Sequence, residues 1–179
     1  MRSFLPARGR ARLAAVAVLL GVTLAGCGQA SPGAVAYVDG TKITEQQLDD
    51  AVAGVGTTVD PGQQVSSQAV ANAMIHGVIA EHLATQDGIA ITDAQRDSVL
   101  KGSNLEPLLA VPAAKSVAYD VADQEIVSQK IGGDAYLKRA GEQKVTLNPR
   151  YGVLDPQQKL IVPDQSGSLA KPVAPSPSP

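Results

Sequence analysis

The chain reads as mainly α-helical, with a small antiparallel β element formed by an N-terminal hairpin and a late strand. Three observations predict this. Two Thr-x-x-Gln capping boxes, Thr44 to Gln47 and Thr92 to Gln95, each precede a run with helical spacing. The longest such run, Ser67 to Gln86, carries Val70, Met74, Ile75, Val78, Ile79 and Leu83 as one broad apolar surface. Short β-rich runs flank the Asp39-Gly40 turn signal and recur only at Val145 to Leu147.

The first 26 residues are set apart from this domain. Arg2, Arg8, Arg10 and Arg12 form a basic start without an acid, followed by the weakly polar-to-apolar run Leu13 to Gly26, the layout of an export signal. A transmembrane span needs about 20 apolar residues, and this run is shorter. Removing it takes four of the 15 basic residues and none of the 17 acidic ones, so the remainder has a net charge of −6. An acidic domain of this kind has no electrostatic footprint for nucleic acid. With one cysteine, Cys27, it has neither a disulfide framework nor a thiol metal site. The core lacks Trp and must pack through Ala, Val, Leu and Ile, which suits helices.

In chain order, residues 27–33 form a short linker of small residues. Val35 to Val38 and Thr41 to Ile43 make a hairpin across Asp39-Gly40. Thr44 caps the first helix, whose apolar face is Leu48, Ala51, Val52 and Val55 and whose end is marked by Gly54, Gly56, Pro61 and Gly62. The long helix follows and closes at Gly88, while Gly77 in its middle points to close helix packing. Thr92 opens a short helix stopped near Gly102. Asn104 to Pro112 reads as irregular, and a further helix runs from Pro112 or Ala113 to Ile131, with Val117, Val121, Ile126 and Val127 inward. Asp134 is expected to cap a last short helix, Ala135 to Ala140, closed by Gly141. The strand Lys144 to Leu147 is expected to pair with the hairpin, because an isolated hairpin is marginal in water. The folded domain is placed at residues 34–152. Residues 153–179 are read as an extended, mostly disordered Pro/Ser-rich tail, within which Leu154 to Val162 could lie against the domain.

Two resemblances add to this reading. Leu24-Ala25-Gly26-Cys27 resembles the lipobox of bacterial lipoproteins. That implies cleavage after Gly26, a diacylglyceryl group on Cys27 and residence on the outer face of the cell membrane, with membrane lipid as the partner of the acylated cysteine. A non-lipidated signal peptide is the alternative, and the position of the single cysteine speaks against it. Ala36 to Gly40 with Ile43, Thr44, Glu45 and Leu48, and then Ala84 to Gly88 with Ile89 to Thr92, resemble in order and spacing the opening of the SurA-like N-terminal chaperone domain. This likeness extends over about residues 34 to 152 and looks like small actinobacterial lipoproteins that carry the domain without a parvulin domain. It implies a helical domain with an apolar groove for unfolded or newly exported polypeptide, no prolyl isomerase activity and no cofactor. Leu108 to Val111 could instead fill such a groove. The other function left open is a cell-envelope interaction or structural module with one specific protein partner.

Catalytic chemistry is not assembled by these residues. His76 and His82 sit about 240° apart on one helix and read as surface or semi-buried side chains, not as shared metal ligands. Asp93 and Asp97 lie in a helix's first turn, where negative charge favours the helix dipole. No nucleophile elbow and no phosphate-cradling loop is present. Arg150 is expected to close onto a carboxylate or a helix C-terminus. The site residues are therefore the lipidation residue Cys27 with Leu24, Ala25 and Gly26, and no catalytic, cofactor or metal residue is assigned.

Overall fold

The computed structural model describes residues 32–162, so the lipobox and the residues from Pro163 onward lie outside it. The hairpin forms as β1 (Ala34–Val38) and β2 (Thr41–Thr44), with Tyr37 opposite Lys42. Asp39 and Gly40 both take positive φ, 46° and 93°, the backbone that a two-residue hairpin turn requires. Strand β3 (Val145–Leu147) pairs antiparallel on the other side of β1, giving the order β2-β1-β3. The third strand thus supplies the support that the hairpin lacks alone.

Among the described residues there are five α-helices, of which the first two pack on this sheet: α1 (Glu45–Gly56), α2 (Ser67–Asp87), α3 (Asp93–Leu100), α4 (Pro112–Ile131) and α5 (Gly133–Glu142). Both capping boxes are complete, with the Thr44 and Thr92 hydroxyls accepting from the N–H of Gln47 and Gln95. Gly88 closes α2 in the left-handed conformation. The main core joins Val35, Val38, Ile43 and Leu48 to Ile75, Ile79 and Leu83 of α2, Val127 of α4 and Tyr136 of α5. The long helix α2 shares the centre with α4, which contacts each of the other four helices.

Four local expectations are corrected. Gly54 does not end α1; it is buried inside the helix, where a Cβ would lie 2.8 Å from the Ala114 nitrogen and 2.9 Å from the Ala113 Cβ. Asn104 to Pro112 is not irregular throughout, since Glu106–Ala110 winds into a 3-10 helix. There Leu108 is buried with Leu100, Ala114, Ala118 and Ala122 in a second, smaller cluster. Asp134 does not cap α5: Gly132, at φ 91°, holds the cap position and places Asp134 in the first turn. Gly141 does not close that helix either, because α5 continues to Glu142. A Cβ on Gly141 would lie 3.0 Å from the Gln157 carbonyl, so the glycine admits the passing chain.

The folded body also continues ten residues past Gly152. Strands β4 (Val153–Leu154) and β5 (Ile161–Val162) form a second hairpin against α2. Ile161 is 3% exposed and joins the main core. The Asn72 carboxamide of α2 accepts from its N–H at 2.6 Å and donates to its carbonyl at 3.4 Å, and Gln68 donates to the same carbonyl at 2.7 Å. Two polar side chains on a helix face thus satisfy a backbone that Pro156 and the short strands could not satisfy alone.

Gly77 is the tightest point between α2 and α4. An added Cβ would overlap the Asp120 side chain, coming to 2.5 Å from its Cβ and Cγ. Gly77→Ala should therefore destabilise the protein by about 1–3 kcal/mol despite Ala's better helix propensity. Gly56→Ala, whose Cβ would meet nothing nearer than 4.0 Å, should be neutral or stabilising by up to about 1 kcal/mol. Urea denaturation of the two variants checks both signs. In the same assay Ile161→Ala should lose about 2–4 kcal/mol if the second hairpin belongs to the folded body, whereas an unchanged midpoint would return residues 153–162 to the tail.

Candidate functional groove

Beside the close contact of α4 with α1 and α2, and bordered by β2, lies a groove. It has a volume of about 820 Å³ and is open to solvent. Its walls are small or flexible apolar groups, Ala51 and Ala53 of α1, Met74 and Val78 of α2, and Pro112 and Ala113 at the start of α4. Lys42 and Ile43 of β2 border one end, with Gln47 and Asp50 of α1 beside them. Asp120 of α4 also lines it, with its side chain packed against Gly77 of α2.

Asp120 is chemically distinct from the other acids. Among the described residues its carboxyl has no hydrogen-bond or ion-pair partner. Burial pushes its proton affinity up to about 8, reinforced by the Asp123 and Glu81 carboxylates and opposed by Arg96. Arg96 cannot relieve it, because its guanidinium is bidentate to Asp123 at 2.6 and 3.0 Å and holds Asp93 at 2.8 Å. It also lies 5.1 Å from the Tyr119 ring centre, with the Lys115 ammonium at 4.7 Å from the same ring. That cluster fastens α3 to α4. Asp97 accepts from the Tyr119 hydroxyl at 2.9 Å, so Asp93 and Asp97 have separate partners and form no carboxylate pair.

The two histidines are separated as the helix geometry requires. His76 is not the surface or semi-buried side chain expected but is buried under α5, with Nδ1 3.2 Å from the Tyr136 hydroxyl and, among the described residues, no hydrogen-bond partner at Nε2. Burial lowers its proton affinity, partly offset by the Gln158 backbone, and the ring links α2 to α5 through Tyr136. His82 lies at the hairpin, with Nε2 3.1 Å from the Thr41 hydroxyl and Nδ1 3.7 Å from Asp39. Arg150 closes onto Glu45 in the first turn of α1 at 2.8 Å, the carboxylate contact foreseen for it. Among the described residues no cluster of His, Cys, Asp and Glu is arranged to hold a metal ion. Likewise, no described helix is long and apolar enough to cross a membrane.

Leu24, Ala25, Gly26 and Cys27 precede the described residues and take no part in this geometry. Asp120 was missed by the sequence reading. Its signal was available: it follows Val117 by one helical turn, in phase with the inward face of α4, and a glycine stands in the facing helix. Comparison of the chain with protein-family models, with curated proteins and with solved structures gives no match.

The folded-state pKa of Asp120 lies above its unfolded value of 3.8. Its favourable contribution is therefore complete below that value and is lost as pH rises through about 8. Asp120→Asn, which keeps the shape and removes the charge, should gain about 1–3 kcal/mol relative to wild type between acid and alkaline pH. Chemical denaturation of both proteins across that range measures the difference, and parallel stability curves would show that Asp120 ionises freely.

Proposed function

We propose that this protein is a lipid-anchored, extracytoplasmic factor of the cell membrane's outer face that binds polypeptide without catalysing a reaction. Cys27, following Leu24-Ala25-Gly26, carries the lipid. Two acyl chains hold a protein stably at about 0.8 kcal/mol per buried methylene, which one chain does not. The SurA-like helical domain binds unfolded or newly exported chains in the groove between α1, α2 and α4. The observation that carries this reading is the groove itself, a cleft of about 820 Å³ whose walls include Ala51, Ala53, Met74, Val78 and Ala113. Leu108, which could have filled a client groove, packs instead into the separate α3–α4 cluster and leaves the cleft open.

The second reading, a module for one specific envelope partner, has its own support. Among the described residues only Leu137, Val153 and Val162 are large apolar side chains in the exposed class, at 54, 46 and 41%. Val153 and Val162 are opposite one another on the second hairpin. Binding confined to the cleft is narrower than the broad apolar surface that indiscriminate client capture uses.

Aggregation suppression separates the two. The lipoprotein in detergent should slow aggregation of a chemically unfolded client in proportion to its concentration, with affinity on the micromolar scale. A folded protein that has no effect at large excess, yet captures a single envelope protein saturably, establishes the second reading. Cys27→Ala, processed or not, should lose metabolic labelling with palmitate. Retention of label in that variant would place the lipid elsewhere.

A further inference from the structure

We infer that the α1–α2–α4 groove engages an extended partner segment through one of its lysine or arginine side chains, with the Asp120 carboxylate as the anchor. This rests on the groove being the polypeptide site and adds the chemistry of what it selects. The cleft offers two kinds of contact. Met74, Val78 and Ala113 form walls against which the methylene stem of a long cationic side chain can lie. Asp120, which lines the same groove beside Gly77, has a carboxylate with no partner of its own among the described residues, within reach of the end of such a stem.

The surrounding charges leave this role open. On α4 itself Asp123 is consumed by Arg96 of α3, and Asp93 of α3 takes the remaining side of the same guanidinium. Glu81 of α2 adds negative potential at Asp120, and Asp50 of α1 lines the same groove. Lys42 of β2 borders the cleft but is not among the charges acting on Asp120. A carboxylate held against burial and two like charges is strained where the isosteric Asn would not be. A cation arriving from a partner relieves that strain, and in a partly desolvated cleft a charge-assisted contact is stronger than on the open surface. Proton and cation then compete for one carboxyl, so affinity for the cationic segment rises with pH through the range in which Asp120 ionises.

The experiment uses the full-length lipoprotein in detergent and two fluorescein-labelled nonapeptides of Ala and Val. They differ only in the central residue, arginine in one and its neutral isostere citrulline in the other. Fluorescence anisotropy at about pH 9 should show the arginine peptide bound at least about fivefold more tightly, with the preference shrinking toward parity at about pH 6. Asp120→Asn should abolish the preference, bringing the arginine peptide to the affinity of the citrulline peptide. Asp49→Asn, on the exposed face of α1 outside the groove, should leave both unchanged. Should Asp120→Asn fail to fold, the wild-type pH dependence of the preference decides alone. Equal affinities at about pH 9, or a preference that survives in folded Asp120→Asn, overturn the cation anchor while the groove reading stands. Failure of both peptides to bind removes the groove reading as well. Tighter arginine binding in Lys171→Gln would identify the chain's own C-terminal segment as the occupant and overturn the partner.

Discussion

The structure depends on how closely α4 sits on α1 and α2. Two glycines set that distance, Gly54 against Ala113 and Ala114, and Gly77 against Asp120. With any side chain at either place the helices would stand further apart, and interiors packed at crystal-like density do not absorb such shifts locally. The same approach defines both faces of α4. One face closes the core through Val117 and Val127, and the other lines the groove. The small cluster of Leu100, Leu108, Ala114, Ala118 and Ala122 follows from it too, since alanines along α4 leave room for the 3-10 helix to lie down.

Charge is distributed unevenly over this frame. Most ion pairs sit where they fasten one element to another: Arg96 joins α3 to α4, Arg139 meets Asp87 at the end of α2, and Arg150 meets Glu45 at the start of α1. Asp120 is different, because it is partly desolvated and has no such partner among the described residues. It shares the α2–α4 contact with Gly77, so packing constraint and electrostatic strain coincide at one point in the fold. Proteins keep strain of this kind chiefly where a site uses it.

The second hairpin shows a complementary principle. Its strands are two residues long, too short to hold by their ladder, and they persist because α2 offers Asn72 and Gln68 to the Ile161 backbone while Ile161 enters the core. Gly141 lets the connecting turn pass α5 at close range, and the buried His76 to Tyr136 contact fixes α5 against α2 beneath it. The turn and α5 leave a second open cleft of about 700 Å³ between Leu137, Gly141 and Pro156.

What the amino-acid sequence determined by itself were the features governed by neighbours in the chain. The capping boxes at Thr44 and Thr92, the Asp39-Gly40 turn, the left-handed Gly88 and the limits of α2 and α4 follow from local hydrogen bonding, φ restrictions and apolar periodicity. The pairing of β3 with β1 was also legible, because a lone hairpin needed a third strand. The resemblance of Leu24 to Cys27 to a lipobox rests wholly on sequence. Only the tertiary structure decided the use of each glycine, the order of residues 153–162 and the exposure of Asp120 to a groove. Gly54 reads equally as a helix end or a contact point until a neighbouring helix supplies the Cβ-sized conflict. Ile161 reads as tail until Asn72, 89 positions away, meets its backbone. Asp120 reads as one more solvated acid until α2 removes its water and Asp123 takes the nearby arginine. Each of these depends on atoms brought together across long stretches of chain, which local periodicity cannot encode.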